Sequence, residues 1–287
     1  MAVKLKIEPF FHPTSSGEIF LLKRSPDEVK SSSVLVFVPP FAEEANKSRH
    51  SISLMASRLA EAGIASVYFD YFGSGESQGH FHDGSVTRYT EDLVSVVELL
   101  KSQGYESITL LGIRCGALIA LNAAKTLDID RLLFWNPVLN GKLWVNQFFR
   151  LRIAASMASD DAKNVSAKTI REELEAQQYT EIAGYSVSQT FVDEMESTSL
   201  ETILEDIAQS RNTANILCNT TLFEVNSLSD NAVTPVLGKA ADLLRAKNVN
   251  VQVIAISGDQ FWMTQEITLN TALFDDTLNQ LTQVRVE

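Results

Sequence analysis

Ile108-Thr109-Leu110-Leu111-Gly112-Ile113-Arg114-Cys115-Gly116-Ala117 is the stretch on which the fold turns. Residues 108–111 form a short apolar run, as expected of a strand buried on both faces. A helical stretch over 115–125 follows directly. Between them Gly112 and Gly116 stand two residues before and two after Arg114. Small residues there suit a sharp strand-to-helix turn, because its tip is strained and its flanking backbones crowd together.

The pattern repeats on both sides. Residues 34–38 form a second apolar run, ended by Pro39-Pro40. In 47–62 the apolar residues Ile52, Met55, Leu59 and Ala62 fall at helical spacing, and Gly63 ends the helix. Residues 64–69 read as a strand, 85–100 as a helix and 131–135 as a strand. This alternation predicts βαβ units and a parallel sheet. Ahead of it, 3–10 and 18–22 read as a hairpin joined by a Pro/Ser/Gly turn. From 138 to 210 only helical periodicity is visible. Alternation then resumes with a strand at 216–225, a helix at 236–246, a strand at 249–256 and a last helix from about Trp262. The expectation is one α/β domain over 1–287, three-layered, with helices on both faces of a mostly parallel sheet. A helical cap over 138–212 is inserted after the sixth strand.

Composition narrows the function. The chain has 287 residues, 45% hydrophobic and 21% charged, which is ordinary globular usage. Its net charge of −12 argues against a nucleic-acid partner held on a basic face. Within 159–210 there are 12 acidic and 3 basic residues, so −9 of that charge sits in the insertion, as on a solvated helical face. Two cysteines, Cys115 and Cys218, exclude a disulfide scaffold and a Cys-rich zinc site. No metal and no cofactor are expected. The N-terminus lacks a signal-peptide pattern, and Arg114 interrupts the longest apolar stretch. A cytoplasmic chain without a transmembrane segment is therefore expected.

The turn at Gly112–Arg114–Gly116 has the architecture of the α/β-hydrolase elbow, G-x-S-x-G. At its tip stands Arg114, whose guanidinium stays charged and cannot be nucleophile or base. Other strings resemble the same fold. Val38-Pro39-Pro40-Phe41 stands where the oxyanion loop would begin. Asp70-Tyr71-Phe72-Gly73-Ser74-Gly75-Glu76-Ser77 looks like its D-x-x-G-x-G-x-S loop. Asp230-Asn231-Ala232-Val233-Thr234-Pro235 looks like its acid loop, with Asp230 in the acid slot. Ile256-Ser257-Gly258-Asp259-Gln260-Phe261-Trp262 ends the strand where a triad His would follow, yet the four histidines are His12, His50, His80 and His82. One literal G-x-S-x-G, Gly75-Glu76-Ser77-Gln78-Gly79, lies in a loop and not between strand and helix, so Ser77 reads as a loop serine.

Four strings carry a narrower resemblance: Pro39-Pro40-Phe41-Ala42-Glu43-Glu44-Ala45-Asn46-Lys47-Ser48-Arg49, Gly112-x-Arg114-x-Gly116-Ala117, Trp135-Asn136-Pro137-Val138-Leu139-x-Gly141-Lys142 and Phe261-Trp262-x-x-Gln265-Glu266-Ile267. Together they resemble the type 2 exosortase A system-associated hydrolases, bacterial α/β-hydrolase-fold proteins that accompany exosortase and exopolysaccharide gene sets. The resemblance implies a pocket under the cap for a small-molecule or acyl ligand.

Arg114, Phe41, Ala42, Glu43 and Trp262 are the candidate ligand-binding residues. A planar guanidinium suits a carboxylate or phosphate. The alternative for Arg114 is a filled site in which it pairs with Asp230, Glu43 or Glu44. Asp230 and Cys115 are the catalytic candidates. Cys115 could be a displaced nucleophile favoured by the helix N-terminus and Arg114, or a buried structural thiol. The first reading of function is a binding protein with a degenerate triad. The other is an ester or thioester hydrolase, or an acyltransferase, with an unconventional site using Cys115 or Ser77. His80, His82 and Asp83 read as a solvent loop, His50 as a surface residue. Residues 143–157 read as a helix laying its apolar face over the pocket, with a peripheral membrane or protein partner as the other use of that face.

Overall fold

The computed structural model describes residues 5–27, 31–157, 165–209, 219–226 and 232–282. A hairpin of β1 (Leu5–Pro13) and β2 (Glu18–Pro26) opens the chain. Strand β3 (Ser33–Val38), helix α1 (Glu43–Glu61), strand β4 (Ala65–Phe69), helix α2 (Val86–Ser102), strand β5 (Ser107–Ile113), helix α3 (Gly116–Ala124) and strand β6 (Arg131–Trp135) follow in the expected alternation. Then come α4 (Gly141–Met157), α5 (Ala167–Gln177), β7 (Tyr179–Ile182), β8 (Tyr185–Ser188), α6 (Gln189–Ser197) and α7 (Leu200–Gln209). Strand β9 (Asn219–Asn226), helix α8 (Pro235–Arg245), strand β10 (Val251–Ser257) and helix α9 (Thr271–Thr282) complete the order.

The main sheet runs β1-β2-β4-β3-β5-β6-β9-β10. Every pairing from β4 through β3, β5, β6 and β9 to β10 is parallel, and β2 joins β4 antiparallel. Alternate residues of a strand face opposite sides, which explains the two cores. On β3, Val34, Val36 and Val38 join α2 and α3, whereas Leu35 and Phe37 join α1 and α9. Helices thus cover both faces, as a parallel sheet requires. Among the described residues no helix is long and apolar enough to cross a membrane.

Two expectations need correction. The stretch between β6 and β9 is not all helical: β7 and β8 pair antiparallel through Ala183 and Gly184, both with positive φ as a two-residue hairpin turn demands. Thr180 and Ile182 are buried while Tyr179 and Glu181 are exposed, a period of two that flanking helical patterns obscured. The last helix begins at Thr271 and not near Trp262. Phe261 and Trp262 turn into the core beside α9, and the Asn270 side chain accepts from the Leu273 N–H to start the helix.

One buried carboxyl of this frame gives a pH test. Asp92 on α2 is almost fully buried; one oxygen accepts from the Phe72 N–H at 2.8 Å and the other has no hydrogen-bond partner among the described residues. Burial pushes its pKa from 3.8 up to about 6. A raised folded-state value means its protonation stabilises the fold below pH ~4, and that contribution is lost as pH rises through about 6. Asp92→Asn should therefore stabilise the protein at pH 7 by about 1–2 kcal/mol and flatten the stability–pH curve between pH ~4 and ~6. Urea unfolding of both proteins across that range checks it; an unchanged slope would count against it.

Candidate functional site

The β5–α3 turn places Arg114 at its tip with φ 53°, a left-handed conformation uncommon for a residue with a side chain. The flanking glycines are needed for close approach. A Cβ on Gly112 would lie 2.7 Å from Ala117 Cα, and one on Gly116 2.3 Å from the Val38 carbonyl oxygen. Two further non-glycine residues with positive φ stand nearby in the architecture: Ala42 at the start of α1 (φ 55°) and Asn136 after β6 (φ 44°). The Arg114 N–H donates to the Trp135 carbonyl, and the Arg114 carbonyl accepts from Val138 N–H. Asn136 donates its N–H to Phe223 O and accepts at Oδ1 from Val225 N–H, tying the β6 end to β9. Clustered strain of this kind, held by surrounding hydrogen bonds, is typical of functional sites.

The Arg114 side chain reaches two groups. Nε donates to Glu44 Oε1 at 3.0 Å and Nη1 to the Asn136 carbonyl at 2.9 Å. Its guanidinium lies 5.9 Å from the Trp262 ring centre, within cation–π range. Nη2 has no hydrogen-bond partner among the described residues. Glu44 Oε2 and Trp262 Nε1 are buried and have no hydrogen-bond partner among the described residues. Burial pushes the Glu44 carboxyl up, and Arg114 opposes that only in part.

Cys115 is buried, and burial together with Glu44 pushes its thiol pKa up. Arg114 and the backbone N–H groups of Phe41 and Cys115 act the other way. In a hydrolase elbow, the amide after the tip and one from the β3 loop point at the developing oxyanion.

Beside Arg114 opens a cavity of about 480 Å³, lined among others by Leu139, Trp144, Glu224, Leu237 and Lys239. Glu224 is buried and accepts from Thr234 N–H at 2.7 Å. Phe41 does not line this cavity; it is stacked 4.3 Å from Phe191 and packed edge-on to Trp144 and Phe148.

The structure thus brings Arg114, Trp262 and Glu44 together, with Phe41, Ala42 and Cys115 alongside. Glu43 does not join them: it is exposed and accepts from the Tyr185 hydroxyl at 2.9 Å. On a helix, successive residues point about 100° apart, so Glu43 and Glu44 cannot both face Arg114. Asp230 lies outside the described residues. Ser77 donates to Asp70 O and accepts from Phe20 N–H, as a loop strut. His80 and His82 stack on each other, and no group of potential metal ligands forms among the described residues. His50 is exposed. Asn136 and Glu224 were not singled out by sequence. Glu224 had a readable signal, a lone acid in the apolar run Leu222-Phe223-Glu224-Val225; Asn136 had none beyond the tolerance of Asn for positive φ.

Residues 30–210 match the family Hydrolase_4, described as serine aminopeptidase, S33. No curated protein matches the chain in sequence. Est1E from Butyrivibrio proteoclasticus, solved with ferulic acid bound, is 13% identical with a TM-score of 0.66, over 95% of this chain and 97% of that one. An alpha-beta serine hydrolase homologue from Coxiella burnetii is 15% identical with a TM-score of 0.55, over 96% and 97%. Mouse alpha/beta hydrolase domain-containing protein 10 is 16% identical with a TM-score of 0.55, over 96% and 100%. At these identities the likeness speaks to the fold.

Proposed function

The chain belongs to the Hydrolase_4 family (serine aminopeptidase, S33), and within that family we propose a protein that binds its ligand without hydrolysing it. One observation carries this reading: the elbow tip is Arg114, a permanently charged group with no nucleophilic lone pair, held by Glu44 and the Asn136 carbonyl. Two others support it. The Cys115 thiol beside the tip is buried with its pKa pushed up, and the sequence contains no histidine beyond His82.

The ligand is anionic or acylated. Its charged end bonds the open Nη2 edge of Arg114, and its apolar body lies in the cavity against Leu139, Trp144 and Leu237. Residues 138–212 act as the cap over that cavity. The four strings that resemble exosortase-associated proteins support a role in a bacterial exosortase or exopolysaccharide system, for a chain expected in the cytoplasm.

A panel of ester and thioester substrates should show no turnover above background. Decanoate, the acyl probe, should bind in calorimetry, and Arg114→Ala should weaken it about tenfold or more. Arg114→Lys, which keeps charge but loses the planar fork, should fall between. Sustained turnover would overturn the reading, and its loss in Cys115→Ala or Ser77→Ala would establish a catalytic site in its place.

A further inference from the structure

A second cavity, of about 220 Å³, lies between β2, β4 and α1 and shares no lining residue with the first. Phe20, Leu22, Ile52, Ala56 and Tyr68 make its walls, and Arg24, Arg49 and Ser53 bring the polar groups. The strand register explains the set: Leu22 pairs with Tyr68 and Arg24 with Ser66, so all four side chains share the face that α1 covers.

The two arginines differ. Arg49 is neutralised by Asp70 at 2.7 Å and lies over the Tyr68 ring. Arg24 has no carboxylate partner among the described residues. One edge of it holds α1, through Ser53 O, Ser57 Oγ at 3.0 Å and Ser53 Oγ at 2.8 Å. Among the described residues its Nε is buried without a partner, and so is the hydroxyl of its cross-strand neighbour Ser66. Burial lowers its pKa, and no neighbouring acid opposes that. In a chain of net charge −12, an uncompensated guanidinium at the wall of an apolar cavity is unusual.

We infer that this cavity binds a small organic monocarboxylate, its oxygens held by the Arg24 guanidinium and the Ser53 hydroxyl and its apolar body lying on Phe20, Leu22 and Ile52. A single uncompensated positive charge matches a monoanion, and the apolar walls favour a carboxylate with a hydrocarbon body over inorganic phosphate. Ser53 accepts from Arg24 through Oγ, which leaves its hydroxyl proton to donate to the ligand.

Benzoate is the probe, titrated into the full chain by calorimetry with inorganic phosphate as competitor. Saturable binding is expected, weakened about tenfold or more in Arg24→Met and abolished in Ala56→Phe, which fills the cavity while leaving Arg24 in place. Arg114→Ala should keep benzoate affinity within about twofold, since distant sites behave independently, so failure of this site and failure of the Arg114 site are read separately. Circular dichroism reports folding of each variant; if Arg24→Met does not fold, Ala56→Phe decides. Absence of saturable binding, binding retained in Ala56→Phe, or displacement by phosphate at similar concentration would overturn the inference.

Discussion

Gly116→Val should lower the unfolding free energy by more than about 3 kcal/mol. Position 116 opens α3 one residue after Cys115, where a Cβ would meet the Val38 oxygen at 2.3 Å and the Pro39 oxygen at 2.6 Å. Both obstacles are backbone, so no side-chain rotation relieves them. Either α3 moves off the sheet or the β3–α1 connection moves away. The first opens a core that includes Ala117, Leu118 and Leu121, all fully buried. The second displaces Phe41 and Ala42. Valine adds branched bulk at the same point, so its cost exceeds that of alanine. Urea titration of both proteins measures the difference; a loss below about 1 kcal/mol would show that the close approach is softer than its geometry implies.

Arg114→Ala should cost about 2 kcal/mol at pH 8, and adding Glu44→Gln should restore more than half of it. The reasoning rests on what the single change leaves behind. Glu44 has one oxygen on Arg114 and the other buried without a partner among the described residues. Removing the guanidinium leaves a half-buried carboxylate with only the weaker influence of Lys47 to compensate it, which is costlier than losing a hydrogen bond alone. Burial already raises the Glu44 pKa, and without Arg114 it rises further. A carboxyl with a raised folded-state value stabilises the fold when protonated and loses that contribution as pH rises. The Arg114→Ala penalty should therefore shrink toward pH ~4 and be largest at alkaline pH. Both side chains are partly exposed, so the full cost of breaking a deeply buried pair is not reached. Equal penalties at pH 4 and 8, or no recovery in the double variant, would remove Glu44 as the cause.

The sheet was legible because buried parallel strands announce themselves. Residues 34–38 and 108–111 are continuous apolar runs bounded by proline or glycine, and both are strands within a residue or two. The elbow was legible for a related reason: only small residues fit beside the tip, so Gly112 and Gly116 mark it whatever occupies position 114. The β7–β8 hairpin was not legible. Its turn lacks Asn-Gly or Asp-Gly, and each strand has four residues, too few for alternation to stand out between helices. Within the site, sequence named Arg114 and Trp262 but could not choose between Glu43 and Glu44, because adjacent helical residues differ only in direction. That choice is fixed by where α1 begins, which hangs on the positive φ of Ala42. The Arg24 cavity carried no motif; it arises from a cross-strand register that no local pattern encodes.

The hydrogen bond from Val225 N–H to the strained Asn136 has a consequence for the order of assembly. It joins residues 89 apart in sequence, and the Arg114–Glu44 pair joins residues 70 apart. Closing such long loops costs chain entropy before any contact repays it. During synthesis the strand carrying Arg114 emerges well before β9. The carbonyl that holds Nη1 belongs to Asn136, which gains its remaining hydrogen bonds, to Phe223 O and from Val225 N–H, when β9 docks beside β6. The elbow's final geometry is therefore completed late in folding, after the whole segment between β6 and β9 has been made and brought back to the sheet.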